Sequence, residues 1–337
     1  MSRTDGFDIP VVLFFFNRTD LILKVLDRVA SVKPRKLYLF SDGGRNGDEW
    51  RTVLACREAV EHRIDWECEI IRNYAETNRG VYESIGKGAL WVFEREARAI
   101  FLEDDNLPET TFFCYCEEML DRYAEDKRVL WVCGTNYLED YKSADGSSYM
   151  FTRHLLPCGW ASWSHKFLAM YDGNLYGLSE PDMIKRLEFT YENKALFRQQ
   201  RYNFQGTYEK LRTNQRVSWD HQMCFSIRAN SVFGIAPCHN QIVNIGADER
   251  STHGGTGMHK TMTKRFCCIK SKPLEWPLIH PKRVMPDFMF ETKTCNVILM
   301  PFSRRIVLMI VRFIKPIFGF GRYESISLEA LKKKVRI

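Results

Sequence analysis

The sequence predicts an α/β protein with a mostly parallel, doubly wound sheet. Short apolar runs alternate with segments of helical periodicity through the first 135 residues. The runs are continuous in apolar residues, as expected for strands that are buried on both faces. The chain has 337 residues, of which 13% are aromatic, so it is long enough to bury a large core.

The first predicted element is a strand at VVLFFF, residues 11 to 16. It is followed by a helix whose apolar stripe consists of Leu21, Val25, Leu26 and Val29. The later elements are a strand at KLYLFS, a polar helix over residues 49 to 62, a strand at WECEIIR, a helix over residues 81 to 96, a strand at AIFLE, a helix over residues 109 to 125 and a strand at VLWVCG. Five strands separated by helices predict parallel strands joined by helical crossovers.

Polar residues follow the predicted strands at their carboxyl ends, where open α/β sheets bind ligands. They are Asn17 and Arg18 after the first strand, Asp42 with two glycines after the second, Asn78, Arg79 and Gly80 after the third, and Glu103, Asp104 and Asp105 after the fourth. An arginine, an Asn-Arg-Gly loop and a group of carboxylates suit a nucleotide diphosphate with a metal ion. Each residue alone is compatible with an ordinary turn, so the interpretation depends on their common location.

The three consecutive acids lie in the segment IFLEDDNLPE, residues 100 to 109. Their carboxylates repel one another, and each close pair costs on the order of a few kcal/mol at an effective dielectric constant of about 20. A divalent cation would compensate this repulsion. The alternative is a solvated acidic turn before a helix that starts near Pro108, because acidic residues also favour helix N-termini. The segment by itself leaves both interpretations open.

Several classes of protein are disfavoured. The sequence contains neither G-x-G-x-x-G nor G-x-x-x-x-G-K-[ST], which argues against a dinucleotide dehydrogenase and a P-loop enzyme. The eleven cysteines include no C-x-x-C pair, so reduced structural thiols are favoured over a zinc site or a disulfide framework. The polar N-terminus is followed by one short apolar run, and we therefore expect a cytoplasmic protein.

The positive charge of the chain is concentrated at its C-terminus. Residues 301 to 337 contain nine basic and two acidic residues, whereas the other 300 residues contain equal numbers of each. On a helix, Arg305, Arg312 and Lys315 share one arc and apolar residues cover the rest, which is typical of a helix that lies on an anionic membrane surface. Arg312 interrupts the apolar run, so this segment cannot span a bilayer. The alternative is a helix docked on the domain or on a second subunit.

This charge distribution gives two expectations about partners. The basic tail, residues 301 to 337, is expected to hold the protein at the inner face of the cell membrane. Because the remaining 300 residues are balanced in charge, we expect no nucleic-acid partner.

Seven segments in a fixed order resemble the nucleotide-diphospho-sugar transferases of the GT-A fold. They lie within residues 11 to 253 and read FFFNR, LFSDGG, NRG, IFLEDD with FF following, LPCGWASW, VSWDHQM and VNIGADERSTH. The chain looks most like a group of bacterial glycosyltransferase-like sequences similar to the N-acetylglucosaminyltransferase that starts complex N-glycan branching. Each segment alone is unspecific, and the resemblance rests on their order and spacing.

The resemblance implies a nucleotide site and a metal site. Arg18 and Asp42 would hold the base, Asp104 would hold the ribose, and Asn78 would also contact the nucleotide. Asp105 would bind Mn²⁺ or Mg²⁺ on the diphosphate of a nucleotide sugar, which we expect to be UDP-linked.

A second metal ligand is expected from the glycine-bearing loop ADERSTHGGTGMH. His253 and His259 compete for this role, and the resemblance favours His253. We also expect a GT-A domain over residues 1 to 300, divided into a nucleotide-binding half, 1 to 135, and an acceptor and catalytic half, 136 to 265. The tail over residues 301 to 337 follows it.

The remaining candidate residues concern the sugar and the acceptor. Glu103, Gly159, Trp160 and Trp219 would line the pocket for the donor sugar and the acceptor. Asp220 follows a large aromatic residue, where partial desolvation favours a basic carboxylate. It is the candidate general base for the acceptor hydroxyl, and direct displacement would invert the anomeric centre. The alternative is a helix-capping role for Asp220.

One departure from the resembling sequences concerns the last of these segments. Many relatives read TWDYQW where this chain reads VSWDHQM, so His221 and Met223 replace aromatic residues. We expect this change to affect the choice of acceptor.

Two other functions are compatible with parts of the sequence. A sugar-phosphate nucleotidylyltransferase has a similar fold, but FFFNRTD lacks the glycine-rich, basic signature that such enzymes carry after the first strand. A non-catalytic, membrane-docked protein that binds a nucleotide sugar would not need Asp220. A glycosyltransferase of surface polysaccharide or lipid-linked glycan assembly is the function that we expect.

Overall fold

The computed structural model describes residues 6 to 247 and 261 to 324. His253 and His259 lie outside the described residues. The strands are β1 Val11–Phe15, β2 Lys36–Ser41, β3 Glu69–Tyr74, β4 Arg98–Glu103, β5 Asn106–Pro108, β6 Val129–Cys133, β7 Tyr149–Thr152, β8 Trp160–Trp163, β9 Phe233–Pro237 and β10 Ile242–Asn244. The helices are α1 Thr19–Ala30, α2 Gly47–Arg63, α3 Lys87–Phe93, α4 Thr111–Arg122, α5 Ser164–Met170, α6 Met183–Glu188, α7 Lys194–Arg212, α8 Asp220–Ala229, α9 Thr261–Phe266, α10 Phe288–Ile298 and α11 Phe302–Ile314.

Eight of the described strands form one sheet in the order β3-β2-β1-β4-β8-β6-β9-β7. β1 pairs in parallel with β2 and β4, and β2 pairs in parallel with β3. β8 is antiparallel to β4 and to β6, and β7 is antiparallel to β9. The predicted α/β class with a mostly parallel sheet is confirmed. The fifth predicted strand, β6, is separated from β4 by β8, so both predicted halves of the chain contribute to one sheet.

The sheet is covered by apolar side chains on both faces, as the continuous apolar strands predict. All five residues of β1 are buried. On one face β1 packs against α1, whose buried residues include the whole predicted stripe and Ile22. On the other face it packs against residues from α3 and α8. Burial on both sides explains why these strands carry no alternation of polar and apolar residues.

Three predicted boundaries differ from the structure. The predicted helix over residues 81 to 96 begins with a π-helical turn, Tyr82–Gly86, before α3. β3 begins at Glu69, because the Trp66 indole donates to the carbonyl oxygen of Pro34 (3.0 Å) and stays in the preceding loop. α4 begins at Thr111, and the residues near Pro108 form β5 in place of a helix start.

β5 and β10 form a two-stranded antiparallel sheet next to the acidic triplet. The register pairs Ile242 with Pro108 and Asn244 with Asn106. Buried amides fix this ribbon, since Asn240 accepts from the backbone N–H of Asn136 (2.9 Å) and donates to the carbonyl oxygen of Ile242 (2.7 Å). The pairing therefore brings residue 244 beside residue 106, at the end of the acidic segment.

A stack of aromatic rings connects the central strands β4, β8 and β6 of the sheet. The ring centroids of Phe101 on β4 and Trp160 on β8 lie 3.9 Å apart, and those of Trp160 and Trp131 on β6 lie 4.0 Å apart. Trp219, which precedes α8, lies 5.8 Å from Trp160. Glu103 lies two residues after Phe101 and so points to the same face of β4. The stack therefore forms the floor beneath the end of that strand.

A buried lysine ties the turn between α4 and β6 to α5. The Lys166 ammonium donates to the carbonyl oxygens of Tyr123 (2.5 Å), Asp126 (2.9 Å) and Val129 (2.9 Å). It also lies 3.8 Å from the ring centroid of Trp163. Burial lowers the pKa of Lys166 to about 8, and the nearby carboxylates of Asp126 and Glu125 act in the opposite direction.

No helix in residues 6 to 247 and 261 to 324 combines the length and the apolar character needed to cross a membrane. α11 is nevertheless the most exposed helix with an apolar composition, since none of its residues is buried.

Replacing Lys166 with methionine tests the contribution of this lysine to the fold. Lys166→Met keeps most of the side-chain volume but leaves three carbonyl oxygens without their donor, so the free energy of unfolding should fall by about 2 kcal/mol or more. The exposed Lys185 on α6 gives the matched control, and Lys185→Met should change stability by no more than about 0.5 kcal/mol. Urea unfolding measures both; equal losses in the two variants would contradict this role.

Candidate active site

The register of the parallel strands places the predicted site residues at one edge of the sheet. Phe15 pairs with Ser41, Ser41 pairs with Tyr74, and Phe14 pairs with Glu103. The residues that follow these positions therefore leave the sheet at the same level. This edge is the carboxyl end of β1 to β4, where the sequence places its polar residues.

Arg18 connects the loop after β1 to the acidic triplet after β4. Its guanidinium donates to both carboxylate oxygens of Asp104, with 3.3 Å from Nε to Oδ2 and a very short contact from Nη2 to Oδ1. Nη2 also donates to Oδ2 of Asp105 (3.0 Å). Burial opposes the charge of Arg18, but the two carboxylates raise its pKa. The structure thus brings three predicted site residues into one ion-pair cluster.

The acidic cluster has more negative charge than Arg18 neutralises. Burial raises the pKa of the Asp104 carboxyl group, and Arg18 acts in the opposite direction. Burial also raises the pKa of Glu103 well above its usual range, and Asp105 and Asp104 raise it further. Asp220 adds to the same effect, so it lies within electrostatic reach of Glu103. The cluster therefore favours the binding of a further cation.

Asp105 is oriented by two asparagines that the sequence analysis did not select. Its Oδ1 accepts from the side-chain amides of Asn106 (2.7 Å) and Asn244 (3.4 Å). The Asn244 side-chain oxygen in turn accepts from the backbone N–H of Gly246 (3.0 Å). Asn244 and Gly246 belong to the segment VNIGADERSTH, in which His253 was the only predicted site residue. In the sequence, the available signals for this part of the site were Asn106, which follows the acidic triplet, and Gly246.

Gly246 covers the Asp105 carboxylate closely. A Cβ atom at this position would lie 2.2 Å from Oδ2 of Asp105 and 3.0 Å from Nη1 of Arg18. Only a glycine leaves the carboxylate in its place, because Arg18 and Asn106 already hold it. The close packing of the Gly246 backbone on Oδ2 therefore depends on the absence of a side chain.

The donor set at Asp105 suits a hard divalent cation. Carboxylate and amide oxygens are the ligands that Mg²⁺ and Mn²⁺ prefer, and amides that orient a carboxylate are common around such ions. Among the described residues, no group of three or more His, Cys, Asp or Glu side chains is arranged to hold a metal ion. A cation at Asp105 would thus need ligands from a bound phosphate and water, as is usual for Mg²⁺ in nucleotide sites.

Asp42 organises the loop after β3. Its Oδ1 accepts from the backbone N–H groups of Gly43 (2.8 Å) and Arg79 (2.7 Å), and its Oδ2 accepts from the Asn78 amide (3.1 Å) and the Gly80 N–H (2.9 Å). A carboxylate offers about four lone-pair sites, and these four donors fill them. Asp42 and Asn78 therefore form a second cluster, in which each restrains the other.

Arg57 on α2 is a further residue that the sequence analysis missed. Its guanidinium donates to the carbonyl oxygens of Ser41 (3.3 Å), Asp42 (3.2 Å) and Ala75 (2.9 Å). It also lies over the Tyr74 ring, 4.7 Å from the centroid. Arg57 thus joins the ends of β2 and β3 and fixes the backbone that carries Asp42. It lies in a polar helix, where no sequence pattern distinguished it from surface arginines.

Asp220 is the first residue of α8, and its side chain is partly exposed. Trp219, not Asp220, occupies the N-cap position. Asp220 also contributes to the raised pKa values of Tyr137 and Tyr171, after the larger effect of burial. Asp220 therefore lies within electrostatic reach of Glu103 and of these two tyrosines.

The predicted sugar-pocket residues Trp160 and Trp219 are largely buried. Their exposed fractions are 2% and 4%, because both rings belong to the aromatic stack. Gly159 has a positive φ of 59°, and a Cβ there would lie 2.5 Å from the Ile242 side chain. In this structure these three residues are buried, and their expected role in lining the sugar pocket stays a prediction.

The departure from the resembling sequences falls in the core. Met223 is fully buried against the aromatic stack. His221 contacts α7, with 2.9 Å between its Nδ1 and the Thr207 hydroxyl. Met223 therefore has no exposed surface for direct contact with an acceptor, and the expectation about acceptor choice stays a prediction.

The chain is similar to several solved structures at low sequence identity. The mannosyltransferase PcManGT from Pyrobaculum calidifontis, in complex with GDP-Man and Mn²⁺, is 13% identical with a TM-score of 0.36 over 68% of this chain and 70% of that chain. S. aureus TarS 1-349 is 11% identical with a TM-score of 0.38, over 70% of this chain and 59% of TarS. A UDP-glucose pyrophosphorylase complexed with UDP-glucose is 10% identical with a TM-score of 0.33, over 70% of this chain and 93% of that chain.

No protein-family model matches the sequence, and no curated protein matches it. At TM-scores of 0.33 to 0.38, the solved structures do not by themselves assign a ligand or an activity to this chain. The candidate site therefore rests on its own geometry.

Gly246→Ala tests whether the Asp105 carboxylate, in the position that Gly246 allows, is part of a ligand site. The added methyl group must displace the Asp105 carboxylate, so Mn²⁺-dependent affinity for UDP should fall by about 10- to 100-fold. Gly47→Ala is the control, because a Cβ at Gly47 meets nothing within 4 Å. Calorimetric titration measures affinity and circular dichroism measures folding. Unchanged affinity in folded Gly246→Ala would rule out this position for the cation and the diphosphate.

Proposed function

We propose that this chain is a metal-dependent, inverting glycosyltransferase. It would move a hexosyl or N-acetylhexosaminyl group from a nucleotide-diphosphate sugar, UDP-linked by expectation, to a hydroxyl of a glycan or lipid-linked acceptor. The observation that carries the proposal is the arrangement around Asp105: a carboxylate oriented by two asparagines and Arg18, with Asp220 and Glu103 within electrostatic reach of each other.

Asp105 would hold Mn²⁺ or Mg²⁺ together with the substrate diphosphate. His253 is the proposed second protein ligand on the basis of the sequence alone. When bound, the cation supplies charge stabilisation for the departing diphosphate. Arg18 would remain beside the phosphates and add a second positive charge at the same edge of the sheet.

The nucleotide would lie between the Arg18 cluster and the loop held by Asp42. Because the Asp42 carboxylate is filled by donors from residues 43 and 78 to 80, we propose that it acts on the base through the loop that it shapes. Asp104 would contact the ribose when a ribose hydroxyl replaces one of the donors of Arg18. Arg57 would be a positioning residue for this loop.

In the proposed transfer step, Asp220 takes the proton of the acceptor hydroxyl. As the carboxylate of Asp220 accepts this proton, the acceptor oxygen bonds to the anomeric carbon and the bond from that carbon to the diphosphate oxygen breaks. Attack from the face opposite the leaving group inverts the configuration. Glu103 would border the donor sugar, and the stack of Trp160 and Trp219 would fix the distance between the two carboxylates.

An assay with a panel of nucleotide sugars and Mn²⁺ separates this proposal from its alternatives. Release of free nucleotide diphosphate that depends on an acceptor supports a glycosyltransferase. Release of pyrophosphate from a nucleoside triphosphate and a sugar phosphate would establish a nucleotidylyltransferase. Tight binding of the nucleotide sugar with no product in either assay would establish a binding protein.

The metal assignment can be tested by substituting the two adjacent acids Asp104 and Asp105 one at a time. Asp105→Ala should abolish the Mn²⁺-dependent part of UDP binding, because it removes the carboxylate that we assign to the cation. Asp104→Asn should weaken UDP binding and keep the response to Mn²⁺, because its carboxylate lies on Arg18. Calorimetry with and without Mn²⁺ measures both. Titrations of Asp105→Ala that match those of the wild type would exclude Asp105 as a metal ligand.

The general base can be tested with Asp220→Asn. This variant keeps the volume of the side chain but removes the proton acceptor, so turnover should fall by about 10² to 10⁴ while affinity for the nucleotide sugar stays near that of the wild type. The control is Asp48→Asn, which removes an exposed carboxylate from the first turn of α2. A parallel fall in nucleotide-sugar affinity and thermal stability would identify a structural role.

The stereochemistry of the product gives an independent check. From an α-linked donor, the proposal requires a β-linkage, which NMR of the product determines. An α-linkage would exclude direct displacement with Asp220 as base.

A further inference from the structure

α11 is attached to the domain by its basic face. Arg305, Leu308, Val311 and Arg312 are partly buried, and Lys315, which follows the helix, is buried, so three of these five residues are cationic. These residues recur at intervals of three or four and therefore share one side of the helix. The side of α11 that meets the protein is thus mainly cationic, contrary to the usual orientation of an amphipathic helix on a globular domain.

The contacts that hold this face are aromatic and polar. The Arg312 guanidinium lies 3.3 Å from the ring centroid of Tyr202 on α7. The Tyr202 hydroxyl donates to the carbonyl oxygen of Arg322 (2.8 Å), and the Tyr323 hydroxyl donates to Gln205 (3.1 Å). Lys315 donates to the carbonyl oxygen of Glu324 (2.6 Å). α11 therefore contacts α7 directly through Arg312, and the residues that follow the helix, Arg322 and Tyr323, make two further contacts with α7.

The opposite side of α11 is apolar and exposed. The exposed fractions of Phe302, Met309, Phe313 and Ile317 lie between 64% and 79%. Further exposed apolar residues on this side are Ile306, Val307, Ile310, Ile314 and Phe318. We name these nine residues the outer apolar face. A contiguous apolar surface of this kind marks a contact with a membrane or with a protein.

The charge around the outer apolar face selects between these partners. α7 and residues 302 to 324 together contain ten Lys or Arg residues and two Glu residues. In a symmetric dimer through this face, the same cationic surface would meet itself, and like charges across an interface are costly. An anionic lipid surface complements the charge and accepts the apolar side chains.

We propose that the outer apolar face inserts into the interfacial region of an anionic membrane. α11 lies parallel to the surface, and the basic residues of α7 and α11 are close to the lipid headgroups. The cationic face of α11 is then directed toward the domain, where Arg312 contacts Tyr202, and the exposed Arg304 remains available to the headgroups. This inference concerns membrane binding and does not depend on the proposed transfer reaction.

Sedimentation of the full chain with vesicles tests the proposal. The wild type should bind vesicles of phosphatidylcholine and phosphatidylglycerol in a ratio of about 7 to 3, and bind pure phosphatidylcholine at least about tenfold more weakly. The double variant Met309→Ser/Phe313→Ser should bind the anionic vesicles at least about tenfold more weakly than the wild type. Phe189→Ser is the control, because Phe189 is 91% exposed and lies outside α11.

Three results would overturn the proposal. They are a wild type that does not bind anionic vesicles, a folded double variant that binds as strongly as the wild type, and a wild-type dimer that the double substitution converts to a monomer without any vesicle binding. Analytical ultracentrifugation measures the oligomeric state. UDP binding of the same variants should be unchanged, so a failure here is distinguishable from a failure of the proposed function.

Hydrogen exchange gives a measurement that needs no substitution. Adding anionic vesicles should slow amide exchange in α11 and the turn Lys315–Phe318, because insertion excludes water from the outer apolar face. α6, which lies outside this segment, serves as the internal reference and should exchange at the same rate with and without vesicles. Unchanged exchange in α11 would exclude insertion even if the double variant fails to fold.

Discussion

At the end of β4, the carboxylates of Asp104 and Asp105 share one guanidinium, that of Arg18. This contact joins the loop after β1 to the end of β4 and permits acids to stand side by side at a buried edge of the sheet. One positive charge faces three carboxyl groups, and burial, followed by the charges of Asp105 and Asp104, raises the pKa of Glu103 well above its usual range. The remaining imbalance explains how the same geometry can be stable in the protein and still attract a divalent cation with an anionic ligand.

The rest of the site is held by hydrogen bonds between segments that are distant in the chain. Asn244 reaches Asp105 because β10 pairs with β5, and Asp42 holds residues 78 to 80 while Arg57 holds the backbone of Asp42. Such contacts restrain the carboxylates before any ligand binds. Preorganised polar groups cost little reorganisation when charge develops on a substrate, which is the property that a site for diphosphate departure requires.

The sequence was sufficient to predict the α/β class, the first four strands in parallel and the edge at which the polar residues collect. These features follow from long periodic segments whose signal is local. It was insufficient for β5 and β10, which have three residues each and are stabilised by pairing across more than a hundred positions. It was also insufficient for the burial of Trp160, because a tryptophan beside a glycine gives the same pattern in a core and in a pocket. For α11, periodicity identified the two faces but could not indicate which face meets the domain.

α7 links the two regions for which we propose a function. On one side, its Tyr202 and Gln205 hold α11 and the residues that follow it. On another, its Thr207 contacts His221, the neighbour of Asp220 in α8. An apolar face that rests on a lipid surface would therefore be connected through one helix to the carboxylate proposed as the base. For an acceptor that is itself linked to a lipid, this connection would bring the acceptor hydroxyl to Asp220 at the membrane surface. The aromatic stack would keep Asp220 at a fixed distance from the sheet edge that we propose as the nucleotide site.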